Sequence, residues 1–287
     1  MPAEGAHGIR VCRSCDFIFA PEIQSEDSKL YDGTFGDTNV HPTYEKRGGK
    51  YVVRNRERME TMLARFEPFR KTGRILDVGC SAAFFMSVAK EKGWQPQGAE
   101  IAKWAADFSR TELGIEVFNG MLQDAKFPDN HFDVVFSSHV MEHIGQPLDL
   151  LKEMARVLRP GGAHVTVVPT QFASPSWRLA HRFVGDPPPI HASFYTRETY
   201  AAFLKKAGLR VESIRYNVEL TRLSELTRSV EENARRWQAQ KDAIVQGAAP
   251  EASARRPRWI GLAKSAVNLG GNLLGMGDEI LAIAIKP

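Results

Sequence analysis

The sequence predicts an α/β fold, a Rossmann-like doubly wound sheet, and three observations carry that reading. Arg74-Ile75-Leu76-Asp77-Val78 is a short apolar run that ends in a turn of small residues, Gly79-Cys80-Ser81-Ala82-Ala83, and then passes into an apolar helical pattern. Strand-like and helix-like segments alternate from there with short connections, which predicts parallel strands joined by helices. The tail, Glu279 to Lys286, is a further apolar run with the length of a buried strand.

Each element follows from its local pattern. Strands are predicted near 74–78, 96–100, 115–118, 132–137, 163–168 and 209–216. Helices are predicted near 83–92, 102–113, 147–157 and 196–207. Val53, Arg56, Met59, Met62, Leu63 and Phe66 fall near helical spacing and predict one more helix over 50–70. Residues 1–49 read as an irregular N-terminal segment, with turn-rich stretches at Tyr31 to Asp37 and Gly48-Gly49. The core is thus predicted over 50–217. A mostly helical insertion, a substrate-side cap or an oligomer contact, occupies 218–275, and a returning strand lies in 276–287.

The composition is that of an ordinary globular chain: 287 residues, 43% hydrophobic and 25% charged, with a formal net charge of +4. The basic pairs Arg235-Arg236 and Arg255-Arg256 are isolated, so a nucleic-acid partner is not expected. The N-terminus has no basic segment followed by an apolar core, and no apolar run reaches the ~20 residues that span a bilayer. A cytoplasmic protein is expected. Residues 260–274 have amphipathic spacing and read as a packed helix, with a membrane-surface contact as the alternative. Cys12-Arg13-Ser14-Cys15 has the spacing of half a zinc ribbon. A zinc site completed by His7 or His41, a reduced pair and a disulfide all stay open.

The turn after Val78 discriminates between ligands. A dinucleotide fingerprint places several glycines against a pyrophosphate at a helix N-terminus. Here Gly79 is the one glycine, and Asp77 stands two residues before it, where a carboxylate repels a pyrophosphate and suits a ligand with an ammonium and a sulfonium. Twenty-one residues after Gly79, the run Gln97-Gly98-Ala99 ends on Glu100, an acid placed to accept ribose hydroxyls.

These residues resemble motif I and its following acid in the class I S-adenosylmethionine (SAM) methyltransferases, of the ubiquinone-pathway-like or type 11/23 group. Further motifs follow in family order. Phe132 to Ser138 resembles the fourth strand and Val140-Met141-Glu142-His143-Ile144 the segment after it. Leu158-Arg159-Pro160-Gly161-Gly162 resembles the turn before the fifth strand, and His191-Ala192-Ser193-Phe194-Tyr195-Thr196 a later aromatic-Thr segment. The likeness covers about 50–217 and returns at 276–286. It implies that the tail inserts antiparallel as the seventh strand. Val11 to Phe19 resembles one knuckle of a ribbon that precedes many such domains. The turn departs from the family at Ser81 and Ala83, where glycine is usual.

The resemblance implies a SAM site. Glu100 would hold the ribose, and Gly79, Cys80 and Ser81 would line the methionine part, Cys80 as a small packing residue. Asp77 would act near the amino group, and Tyr51 and Arg54 near the carboxylate. Ile101 and Leu122 would flank the adenine with Gln123 or Asp124 near its amino group, and Ser137 and Ser138 would edge the cleft.

For catalysis, His139, Glu142 and His143 at i, i+3 and i+4 share one face if the segment is helical. His191 would approach from the other side. Either His139 or His191 would serve as base with Glu142 as its orienting partner, or the four would hold a divalent metal, for which imidazoles favour a transition ion over magnesium, or their roles would be structural. His164 and His181 read as structural. The predicted activity is SAM-dependent methyl transfer to a small molecule, most of all at a hydroxyl of a sugar, lipid-linked or secondary metabolite. An RNA 2′-O-methyltransferase and a non-catalytic binding protein are the alternatives.

Overall fold

The strand Arg74–Val78 is the centre from which the sheet extends, because its apolar side chains alternate between two cores. Ile75 packs with Phe66, Met86 and Trp94, whereas Leu76 and Val78 pack with Met141, Leu150 and Met154 on the opposite face. The computed structural model describes residues 10–21, 44–47, 50–53, 55–170, 191–217 and 279–287.

In chain order the strands are β1 Arg10–Val11, β2 Ile18–Phe19, β3 Tyr44–Arg47, β4 Lys50–Val53, β5 Arg74–Val78, β6 Gln95–Glu100, β7 Glu116–Asn119, β8 Phe132–Ser138, β9 Leu158–Pro169, β10 Ser193–Phe194, β11 Arg210–Asn217 and β12 Glu279–Ile285. The α-helices are α1 Arg56–Ala64, α2 Phe84–Glu91, α3 Lys103–Glu112, α4 Pro147–Val157 and α5 Arg197–Lys206. The main sheet has seven strands in the order β11-β12-β9-β8-β5-β6-β7. β12 runs antiparallel to both β9 and β11, and the pairs from β9 to β7 are all parallel. Strand order reverses between β5 and β8, the switch point at whose carboxyl edge open α/β sheets bind ligands.

Local chemistry explains the helices. α4 opens on Pro147, where the missing N–H costs nothing, and buries Leu150, Leu151, Met154, Ala155 and Val157. α5 starts at Thr196, whose hydroxyl accepts the Thr199 N–H at 3.0 Å while the Thr199 hydroxyl accepts the Thr196 N–H at 2.9 Å. Below the sheet, Asp133 ties three segments together. Its Oδ2 accepts the N–H groups of Lys71, Thr72 and Gly73 at 2.8, 2.6 and 2.7 Å, and its Oδ1 meets Arg159 at 2.5 Å. Burial alone would raise this carboxyl, but the Arg159 guanidinium and the three amides hold it below the usual range.

Three expectations change. The predicted helix over 50–70 begins only at Arg56, since Lys50-Tyr51-Val52-Val53 pairs antiparallel with Tyr44–Arg47 as a hairpin. Its β-branched and aromatic residues, with Gly48-Gly49 in the sequence between the arms, favour a strand over a helix start. The predicted turn at 158–162 lies within β9, as a register irregularity opposite Phe132 and Val134. A Cβ on Gly162 would sit 2.9 Å from the Arg159 carbonyl and 3.0 Å from that of Asp133, which explains the glycine. The N-terminal segment is not wholly irregular. β1 and β2 form a hairpin, β2 pairs with β10, and Phe17 packs against Tyr195 and Phe203 at ring distances of 5.4 and 4.9 Å. Arg54, His7, His41, His181 and the 218–275 insertion lie outside the described residues. Among the described residues no helix is long and apolar enough to cross a membrane.

Candidate active site

The end of β5 and the end of β6 build one side of the site together. Gly79, at φ 71°, donates its N–H to the Ala99 carbonyl at 2.8 Å. A Cβ at this position would lie 2.4 Å from Cγ2 of Val140, so glycine is required twice, for conformation and for space. Ser81 and Ala83 adopt the left-handed region at φ 49° and 52°. The backbone therefore keeps the glycine-type turn that the resemblance implies, and pays for it in strain at two L-residues.

Glu100 organises this turn. Its Oε2 accepts the Ser81 N–H at 2.8 Å and its Oε1 accepts the Ala102 N–H at 2.9 Å. The Asn119 amide braces the same corner from β7, donating to the carbonyls of Glu100 and Ile101 at 2.9 and 3.0 Å. Each carboxylate oxygen keeps a lone pair beyond the bond it accepts. Asp77 is buried behind this corner, and desolvation together with the Glu100 charge pushes its carboxyl well above the usual range.

A cavity of about 280 Å³ opens beside Glu100. Of the residues expected to touch a cofactor, Gly79, Ser81, Glu100, Ile101 and Leu122 line it. Cys80 does not: its Sγ packs against Gly98, where an added Cβ would come within 2.5 Å of it, and burial pushes the thiol well up. Gln123 is exposed and stands off the wall, and Ser137 turns inward to donate to the Thr166 hydroxyl at 3.0 Å, leaving Ser138 on the wall. Tyr51 lies in β4, not on a helix beside the cavity. Residues not singled out from sequence also line it, including Trp104 on α3, Met121 and Val140. An indole one turn after the acid was the available signal.

The far end holds the four predicted catalytic residues, arranged differently from the expected helix face. His139 is left-handed at φ 55°, and only a short 3-10 turn, Met141–His143, follows it. The His139 N–H is fixed to the Val167 carbonyl at 2.9 Å. Its Nδ1 meets Glu142 Oε1 at 3.4 Å and its Nε2 meets Glu279 Oε1 at 3.2 Å. Burial opposes a charge on this ring, but the two carboxylates win and push it up to about 10. Both ring nitrogens of His139 thus face carboxylates, and among the described residues the groups within ligand distance of one another are Glu142, His143 and His191.

Glu142 is buried at 1% exposure, and its charge survives because His139, His143 and His191 outweigh desolvation and hold the carboxyl below the usual range. Its Oε1 lies 3.8 Å from His143 Nε2, while its Oε2 has no hydrogen-bond partner. His143 lines the cavity. His191 stands behind it, its ring edge-on to that of His143 at 4.8 Å, and its neighbour Ala192 donates to the Glu142 carbonyl at 2.7 Å. Glu142, His143 and His191 present ligand-type atoms within 4.8 Å of one another. His164 stays structural, buried between the Val135 carbonyl and the Tyr200 hydroxyl, with desolvation lowering it to about 4.

The residues present fit SAM. A buried acid with both oxygens anchored faces the cavity beside small residues, Gly79, Ser81 and Ala102, and apolar walls flank it at Ile101 and Leu122. The Glu100 carboxylate on the wall suits a ligand with hydroxyls and a cationic group and not a pyrophosphate, while Asp77, expected near the amino group, is buried behind the corner and off the wall. Comparisons agree. The methyltransferase domain family matches residues 51–214. The demethylmenaquinone methyltransferase of Listeria monocytogenes is 26% identical over 214 residues, 66% of this chain and 85% of that protein. Among solved structures, a SAM-dependent methyltransferase from Archaeoglobus fulgidus has 22% identity and a TM-score of 0.51, covering 81% of this chain and 95% of that one. Phosphoethanolamine N-methyltransferase 2 of Haemonchus contortus, solved with SAM, has 19% identity and a TM-score of 0.52 over 92% of this chain and 57% of its own. At such identities the solved structures speak to the fold alone, and the family match carries the assignment. The chain belongs to the methyltransferase domain family and is a class I, SAM-dependent methyltransferase.

Proposed function

We propose that this enzyme methylates a hydroxyl group of a small molecule, a sugar, a lipid-linked compound or a secondary metabolite, with His143 receiving the hydroxyl proton. The observation that carries this reading is the pairing of His143, on the cavity wall, with the buried carboxylate of Glu142 at 3.8 Å. The hydroxyl oxygen would bond to the methyl carbon as the carbon–sulfur bond of the sulfonium breaks, releasing S-adenosylhomocysteine, while its proton would pass to a ring nitrogen of His143. Glu142 stabilises the imidazolium that forms, and His191 fixes the ring edge-on from behind. His139, with both ring nitrogens facing carboxylates, is not assigned the proton.

When bound, SAM supplies an electrophilic methyl group on its sulfonium. Glu100 would hold the ribose hydroxyls, Gly79 and Ser81 would admit the methionine part, and Ile101 and Leu122 would flank the adenine, with Asp77 buried behind them. Most of the acceleration then comes from holding donor and acceptor in line in a site that excludes water.

The test has two stages. Calorimetric titration with S-adenosylhomocysteine, on metal-stripped protein and again with added divalent ions, establishes the donor site and any metal dependence. A panel of hydroxylated acceptors, with demethylmenaquinone included, is then scored by mass spectrometry for the gain of one methyl group. His143→Gln should lower turnover by about 10²–10⁴-fold with little change in S-adenosylhomocysteine affinity. Full turnover in this variant would remove His143 from the mechanism.

A further inference from the structure

We infer that His139 is a positioning residue, a clasp between Glu279 on the last strand and Glu142 on the acceptor-side turn that makes the alignment of the Glu142–His143 pair depend on docking of β12. The inference rests on the proposed role of that pair, and its structural part stands apart from the chemistry.

The topology places the clasp. β12 is antiparallel, so its first residue, Glu279, arrives at the carboxyl edge of the parallel strands, where the cavity lies. β9 separates β12 from β8, and His139, the residue after β8, reaches across the end of β9 to meet Glu279 at 3.2 Å. Glu279 is itself buried and held on both sides, opposite Pro169 of β9 and Asn217 of β11. Its position is therefore set by the sheet and not by the side chain it meets.

The backbone of His139 is aimed for this contact. A left-handed φ of 55° is unfavourable at a residue with a Cβ, and the Val167 carbonyl at 2.9 Å holds it there. The turn that follows then brings Glu142 back under the ring at 3.4 Å. Glu142 has one oxygen shared between His139 and His143 and one with no hydrogen-bond partner. Among the described residues its contact to His139 is shorter than that to His143, so His139 does most to hold the orientation of this buried carboxylate. Loss of that contact frees Glu142 to turn away from His143. The same clasp joins β12 to the wall where the acceptor would meet the methyl group.

The test uses the full chain with three changes: Glu279→Gln, which removes the charge and keeps the shape; His139→Asn, since asparagine tolerates the left-handed region; and the two combined. Amide hydrogen exchange is followed by mass spectrometry with S-adenosylhomocysteine bound and absent. Glu279→Gln should speed exchange across 139–144 by roughly tenfold, with β5 and β6 unchanged. The double variant should be no worse than the more affected single one, because both cut one connection. If an acceptor is in hand, kcat should fall in Glu279→Gln while the KM for SAM holds. Unchanged exchange across 139–144 in both single variants, or an equal increase across the whole sheet, overturns the clasp. Failure to find any acceptor would count against the proposed chemistry and leave the exchange result intact.

Discussion

Glu100 accepts the backbone N–H of Ser81 at 2.8 Å, so the acid that ends one strand shapes the turn that ends its neighbour. The register puts Asp77 opposite Gly98 and Val78 opposite Ala99, and the carboxylate of the next residue falls where the β5 turn passes. One side chain thereby shapes the turn and faces the cavity. That dual duty explains how Ser81 and Ala83 keep a turn for which glycine is the usual residue.

Removing this carboxylate should have two consequences. Glu100→Ala leaves the N–H groups of Ser81 and Ala102 without their acceptor and should weaken S-adenosylhomocysteine binding by about 1–3 kcal/mol, with a lower melting temperature. Glu100→Gln should recover part of the stability, since an amide oxygen still accepts. Calorimetric titration and thermal unfolding of both variants check this, and unchanged affinity in the alanine variant would exclude the ribose contact.

Gly79→Ala should destabilise the protein by about 1–3 kcal/mol, because its Cβ would meet Val140 Cγ2 at 2.4 Å. Adding Val140→Ala removes the clash and should restore part of the loss, while the cost of φ 71° remains. Denaturant unfolding of the two variants and their combination measures the coupling.

Ala83→Gly should be neutral or stabilising by up to about 1 kcal/mol. Relief of the left-handed strain at φ 52° opposes the extra freedom that glycine gives the unfolded chain. Ala83 is the residue before α2 and lies off the cavity wall, so S-adenosylhomocysteine affinity should hold. A melting-temperature comparison decides it, and a clear loss of stability would mean that the Ala83 methyl packs better than its strain costs.

Two histidines should shape the pH dependence of stability in opposite directions. An unfolded histidine titrates near ~6.5. His139 is raised to about 10 when folded, so its stabilisation is complete below ~6.5 and is lost as pH climbs toward 10. His164 is lowered to about 4, so its contribution is present above ~6.5 and fades as pH falls toward 4. Urea unfolding across this range should show His139→Asn flattening the alkaline arm and His164→Gln reducing the acid one. An alkaline arm unchanged by His139→Asn would show that the imidazolium adds nothing to stability.

Much of the fold was legible because the signals are local. Arg74–Val78 and Pro147–Val157 fall where apolar spacing places them, since alternation and helical stripes report directly which faces are buried. The hairpin at Tyr44–Arg47 and Lys50–Val53 was misread because Val53, Met59 and Leu63 fit a helical period, and the β-branched pair before Arg56 outweighed that period. At the site, Gly79, Ser81, Glu100 and Leu122 were recognisable by type and spacing. Cys80 and Ser137 were not separable from them, because neighbours along a strand or turn point to opposite sides, and one residue of register decides between ligand and core.

The sequence by itself determined the strand-helix alternation, the small-residue turn with its following acid, and hence the class of cofactor, because each depends on a few consecutive residues. Only the tertiary structure decided that both ring nitrogens of His139 face carboxylates. Glu142 is close in sequence, but Glu279 stands far along the chain and meets the ring because the last strand enters the sheet antiparallel. Electrostatic partners are chosen by distance in space, and that distance is set by how the strands are ordered.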